Sequence, residues 1–136
     1  MKTELQDVQI NIKFKLSALW VSVVLCYIYG DYFGLYVPDA LQSMLDGNMG
    51  SLGATTQGVL LFTSAMMAIP SLMVFLSLAT PAKYSRWLNI IFGLLYTIIM
   101  LLTMPGAWNF YIFFGIIEVA LSLLIVWYAW HWPKNK

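Results

Sequence analysis

Four runs of apolar residues, each long enough to cross a bilayer as a helix, occupy most of this chain and decide what it can fold into. A hydrocarbon core of about 30 Å takes about 20 residues of α-helix. The segments 16–37, 55–80, 87–104 and 108–130 meet that length. Each ends at a helix breaker or a polar break: Pro38, Pro81, the pair Pro105 and Gly106, and His131 ahead of Pro133. With 61% hydrophobic and 10% charged residues, the chain lacks the water-facing shell of a soluble domain, which is about 25% charged. Residues 1–136 therefore read as one domain: an all-α membrane protein built as a four-transmembrane-helix bundle.

Lys and Arg collect on the cytoplasmic side of a membrane, and here all seven obey one scheme. Lys2, Lys13 and Lys15 precede the first span, Lys83 and Arg86 separate the second from the third, and Lys134 and Lys136 follow the fourth. Both termini are thus expected to be cytoplasmic. Residues 38–54, with Asp39 and Asp46, form an outward-facing loop; Pro38 and Asp39 open a short helix through Leu45, and Gly47, Gly50 and Gly53 supply a flexible return. This loop is either a cover over the outward face or a plain connector. Leu5, Val8 and Ile12 suit a short surface helix, with an extended tail as the alternative. No small-residue cleavage site follows the first apolar run, so a cleaved signal peptide is not expected.

Several function classes fall away on residue counts. A formal net charge of +1 provides no basic field for nucleic acid. A single cysteine, Cys26, excludes a disulfide scaffold, and one Cys with one His gives no metal-ligand spacing. No His lies within a span to ligate a haem, and neither a phosphate loop nor a Ser-His-Asp set is present. No cofactor is expected, and no catalytic set is specified.

In lipid, small residues and interhelical hydrogen bonds hold helices together. Each span carries such a stripe at three- and four-residue spacing. Span one offers Ser17, Trp20, Tyr27 and Asp31, with Gly30 and Gly34 as a close-packing pair. Span two offers Gln57, Ser64, Ala68 and Ser71; span three Asn89, Gly93, Tyr96 and Thr103; span four Tyr111, Gly115, Glu118 and Ser122. At about 1.5 Å per residue, Tyr27, Met67, Tyr96 and Glu118 fall near the membrane centre, with Asp31 about 6 Å further out.

A charge at mid-membrane costs at least ~2.5 kcal/mol, so such a residue faces the bundle interior or a wet cavity. Glu118 is then either a neutral hydrogen-bond donor to Tyr96 or Tyr27, or a group that titrates when a ligand or proton arrives. Pro70 removes a backbone donor inside span two and opens the helix near Met66 and Met67, as a packing kink or as room for a pocket.

The stretches 27–31 (Tyr-Ile-Tyr-Gly-Asp), Ile69-Pro70, 84–91 (Tyr-Ser-Arg-Trp-Leu-Asn-Ile-Ile), 111–118 (Tyr-Ile-Phe-Phe-Gly-Ile-Ile-Glu) and 127–133 (Trp-Tyr-Ala-Trp-His-Trp-Pro) together resemble an uncharacterised family of small bacterial four-helix membrane proteins, a domain of unknown function. The resemblance covers nearly the whole chain. It implies a bacterial inner-membrane location, an acid at Asp31 and at Glu118, and an Arg-Trp-x-Asn opening of the third helix, matched by Arg86, Trp87 and Asn89. Many members of that family carry another acid before the Ile-Pro of span two, where this chain has Ala68. The topology also resembles DoxX-like proteins and, more remotely, the sterol-isomerase and sigma-two-receptor group; fold does not fix function.

The leading expectation is a protein that binds or carries a small, largely apolar ligand in an intrabundle pocket lined by Glu118, Asp31, Tyr96, Tyr27 and Ser64. The first alternative is an accessory or assembly protein, pairing with itself as a homo-oligomer or with another membrane protein. The second is a membrane-embedded isomerase-like enzyme with Asp31 and Glu118 as acid and base. Membrane lipids are the expected surroundings in every case.

Overall fold

The computed structural model describes residues 4–134. Helix α1 spans Ile12–Gly34, α2 Ala40–Leu45, α3 Gln57–Ala79, α4 Ala82–Thr103 and α5 Asn109–Trp130, with a 3₁₀ turn at Gly50–Leu52 before α3. The four long helices are long and apolar enough to cross a membrane. Expected and observed spans agree closely at α3 and α5. By contrast, α1 starts four residues before Leu16 and α4 five before Trp87, so the basic residues Lys13, Lys15, Lys83 and Arg86 sit on helical turns.

Local chemistry sets these ends. The Asn11 side chain accepts from the Lys13 amide at 2.9 Å, and Thr56 Oγ1 accepts from the Val59 amide at 3.2 Å, each satisfying an orphan donor of a first turn. Thr80 is extended (φ −85°, ψ 150°), as a residue before proline prefers, and Pro81 opens α4 directly. Residues 4–11 form no helix, and Leu5 and Val8 are exposed, so the extended alternative for this tail holds over the described residues. Lys2 and Lys136 lie outside them.

The helices pack in the ring order α1, α3, α4, α5, with α5 closing back on α1. Two basic residues tie carboxyl ends at one end of the ring. Lys13 Nζ donates to the Thr80 carbonyl at 2.6 Å, and Arg86 Nε donates to the Ala129 carbonyl at 3.1 Å. Cations there complement the helix dipoles. Arg86 also lies 5.7 Å from the Trp87 ring and 5.8 Å from that of Trp130.

Next to this basic end sits the core: Leu16, Trp20, Val23, Met73, Ile90, Ile125 and Ala129. A polar knot runs through it. Asn89 Oδ1 accepts from Trp20 Nε1 at 2.7 Å and from Ser77 Oγ at 3.2 Å, Asn89 Nδ2 donates to the Ser85 carbonyl at 2.8 Å, and Ser85 Oγ donates to the Ser77 carbonyl at 3.1 Å. Helices α1, α3 and α4 are thereby joined with every buried group paired. One step along, α4 meets α5 where Thr97 Oγ1 and Ser122 Oγ lie 2.6 Å apart; a Cβ on Gly93 would come within 2.7 Å of Val126 Cγ2.

The other end is loose. Beyond Val23 only Gly30 of α1 is buried, and before Pro70 nothing on α3 is. A Cβ added at Gly30 or Gly34 would meet nothing within 4 Å, so this pair is not the close-packing contact expected; Gly93 and Gly115 take that role. The buried stripe of α3 also differs from expectation. It runs through Pro70, Met73 and Ser77, with Met66 half-buried in line, while Gln57, Ser64, Ala68 and Ser71 are all exposed. The polar hydroxyls on α3 can turn outward because its own backbone satisfies them: Ser71 Oγ donates to the Met67 carbonyl at 3.0 Å and Thr63 Oγ1 to the Val59 carbonyl at 2.8 Å.

Candidate functional site

Where the tight half of the bundle gives way to the loose half, the four helices enclose a cavity of about 110 Å³. Tyr27, Gly30 and Asp31 face it from α1, Met66 and Met67 from α3, Tyr96, Ile99, Met100 and Thr103 from α4, and Tyr111, Phe114 and Glu118 from α5. The wall is mostly aromatic and thioether, with hydroxyls and two carboxyls as its polar groups.

Four of the five residues singled out from the sequence meet here: Glu118, Asp31, Tyr96 and Tyr27. Ser64 does not. It is exposed on α3, two residues before Met66 and therefore about 200° round the helix from it, and Met66 and Met67 occupy the wall instead. Met100 and Phe114 were not anticipated, yet each stands four residues from an anticipated one, Tyr96 and Glu118 respectively, and so shares its face.

Glu118 is 3% exposed, and its Oε2 is buried without a hydrogen-bond partner. Among the described residues no hydrogen bond joins Glu118 to Tyr96, and the Tyr96 hydroxyl donates instead to the Met66 backbone carbonyl. That carbonyl is available because Pro70, one helical step on, has no N–H to offer it. Pro70 thus fixes Tyr96 against α3 and takes away one of the donors that could have reached Glu118. The Tyr96 ring is held from two sides, 6.2 Å from that of Trp20 and 6.2 Å from that of Tyr27. Asp31, in contrast, is exposed at the rim.

Tyr111 closes the side toward the loop, its hydroxyl donating to Thr103 Oγ1 at 3.0 Å. It also borders a second hollow of about 710 Å³, lined by Gly34 and Leu60 and by Ala40, Ser43, Met44 and Asn48 of the loop. The loop is a compact body, with the Met49 amide bonded to the Gly53 carbonyl at 2.7 Å and the Thr55 amide to the Gly47 carbonyl at 2.8 Å. Positive φ at Gly47 (75°) and Gly53 (80°) makes that closure possible. The short helix foreseen through Leu45 is α2.

The basic residues stand apart from this cavity. Lys83, Arg86 and Lys134 line one recess at the far end of the bundle with Trp87 and Trp132, and Lys15 lies 5.4 Å from the Tyr128 ring. Among the described residues no Lys, Arg or His lines the cavity.

A family model described as Family of unknown function (DUF6326) matches residues 4–136. No curated protein and no solved structure matches the chain. The expected uncharacterised family is thus found, and the likeness of topology to DoxX-like proteins is not shown.

Proposed function

The chain belongs to this family of unknown function, and on that premise we propose that it binds or carries a small, largely apolar ligand in the cavity between α1, α3, α4 and α5, held at Glu118. One observation carries the reading: a carboxyl oxygen buried without a partner, in a cavity to which all four long helices contribute. An unsatisfied buried polar atom is costly in a finished core and useful where a ligand completes it. In the same proposal the protein lies in a bacterial inner membrane with both termini cytoplasmic, the placement that puts Lys13, Lys83, Arg86 and Lys134 inside and Asp39 and Asp46 outside.

Photolabelling in lipid nanodiscs with a diazirine-bearing octanol tests it. Label is expected on the segments holding Met66, Met67 and Met100, competed by excess octanol. Glu118→Gln and Asp31→Asn are expected to keep the fold and reduce the competed fraction, Glu118→Gln more than Asp31→Asn, without abolishing it. Competable labelling at wild-type level in both variants, or label confined to the outer helix faces, defeats the proposal.

A second reading has one observation in its favour. Ser64, Ala68 and Ser71 form a small-residue stripe on the exposed face of α3, the kind of face that pairs with another helix in lipid. It supports self-association or an accessory role. Ser64→Leu with Ala68→Leu is then expected to shift the size of the particle in native electrophoresis, and an unchanged size removes this reading.

A further inference from the structure

Resting on the pocket reading above, we infer that the ligand class is an amphiphilic organic cation: an ammonium head against Glu118 and a short apolar tail along the methionines. The charge pattern of the cavity leads there. Two carboxyls, Glu118 and Asp31, face it with no Lys, Arg or His among its described lining residues, and the basic side chains of the described residues lie at the opposite end of the bundle. In a low-dielectric site a carboxylate lacking a counter-charge is disfavoured, and a cationic ligand supplies the charge and an N–H donor together.

The unpartnered atom gives the head its position. Glu118 Oε2 is buried with no hydrogen-bond partner among the described residues, and the residue as a whole is 3% exposed, so a donor would meet it inside the bundle. Aromatic side chains line the same space. Tyr27 and Tyr96 lie 6.2 Å apart with ring planes at 41°, and Tyr111 and Phe114 face the cavity from α5. Ring faces attract a desolvated cation, whereas they add no charge-dependent gain for a neutral alcohol or alkane. A space of about 110 Å³ suits the head and first carbons. Met66, Met67 and Met100, being flexible, can then lie along tails of differing shape. Asp31 at the rim meets the cation first.

The diazirine-octanol assay separates this inference from the reading beneath it. Octanol, octylammonium and octyltrimethylammonium are compared as competitors at pH 7, with label counted only on the segments of Met66, Met67 and Met100. Octylammonium, which brings both the charge and an N–H donor, is expected to compete about tenfold or more better than octanol, with octyltrimethylammonium, which brings the charge alone, between the two. In Glu118→Gln that advantage is expected to vanish while residual octanol competition reports an intact cavity. Asp31→Asn, a milder change at an exposed position, is expected to reduce the advantage in part. Equal potency of octanol and the two cations on wild type overturns the cation assignment and leaves the pocket standing. Absence of competable label with any probe removes both.

Discussion

The Tyr96 hydroxyl takes the place on the Met66 carbonyl that a backbone N–H at position 70 would fill in an uninterrupted helix. The proline and the tyrosine are therefore one device: the first exposes an acceptor inside the bundle, and the second spends its donor there and pins α4 to α3 at the cavity wall.

Coupling between the two residues follows. Tyr96→Phe leaves the Met66 carbonyl without a donor and is expected to cost about 1 kcal/mol. In a Pro70→Ala background the restored amide satisfies that carbonyl, and the same substitution is expected to cost much less. Reversible unfolding in mixed micelles across the double-mutant cycle measures the difference; strict additivity would disprove the link.

Asn89 is expected to matter for stability and not for the cavity. Asn89→Leu strands Trp20 Nε1 and withdraws the donor from the Ser85 carbonyl, so a loss of about 2 kcal/mol is expected. Photolabelling of the cavity segments at a temperature well below the unfolding transition should be unchanged. Labelling lost at undiminished stability would contradict the separation of core and cavity.

Two glycines invite opposite outcomes. Gly93→Ala places a Cβ 2.7 Å from Val126 Cγ2, on a stiff branched side chain, and 3.3 Å from the Ser122 carbonyl; the expected cost is about 1–3 kcal/mol. Gly30→Ala enters open space and is expected to leave stability unchanged or raise it slightly, since alanine is the better helix former. Thermal unfolding of the two variants side by side settles the comparison, and equal losses would mean that the loose end is as tightly packed as the other.

Orientation has its own measurement. In a Cys26→Ser background, a cysteine at Ser51 is expected to react with an impermeant maleimide applied outside intact cells with a permeabilised outer membrane, and one at Lys83 only after lysis. The reverse pattern would invert the proposed topology.

The spans, and the ends of α3 and α5, were legible because apolar length and proline position act locally, one helix at a time; the starts of α1 and α4 were not, because Lys and Arg on a helical turn break the apolar run without breaking the helix. The interior stripes of α1, α4 and α5 were legible because Trp20, Asn89, Glu118 and Ser122 are polar groups that lipid would leave unsatisfied. On α3 the same logic chose the wrong face. Ser64 and Ser71 looked inward-facing by polarity, but a hydroxyl bonded to its own helix carries no such demand, as Ser71 shows with Met67. With no hydrophobic contrast between lipid and interior, nothing in sequence marked Met73 as buried and Leu72 as exposed. The glycines failed for a related reason: spacing shows that Gly30 and Gly34 could admit a neighbour, and only the fold shows that none comes.

The uneven packing has a consequence for how such a chain can diverge. Most of what secures the fold lies between Tyr96 and the basic end, in the Asn89 knot and the contact of Gly93 with Val126 and Ser122. Met67, Phe114 and the loop about α2 lie outside that core. Substitutions among them can reshape what the cavity accepts at small thermodynamic risk, so selectivity can drift while the scaffold stays fixed.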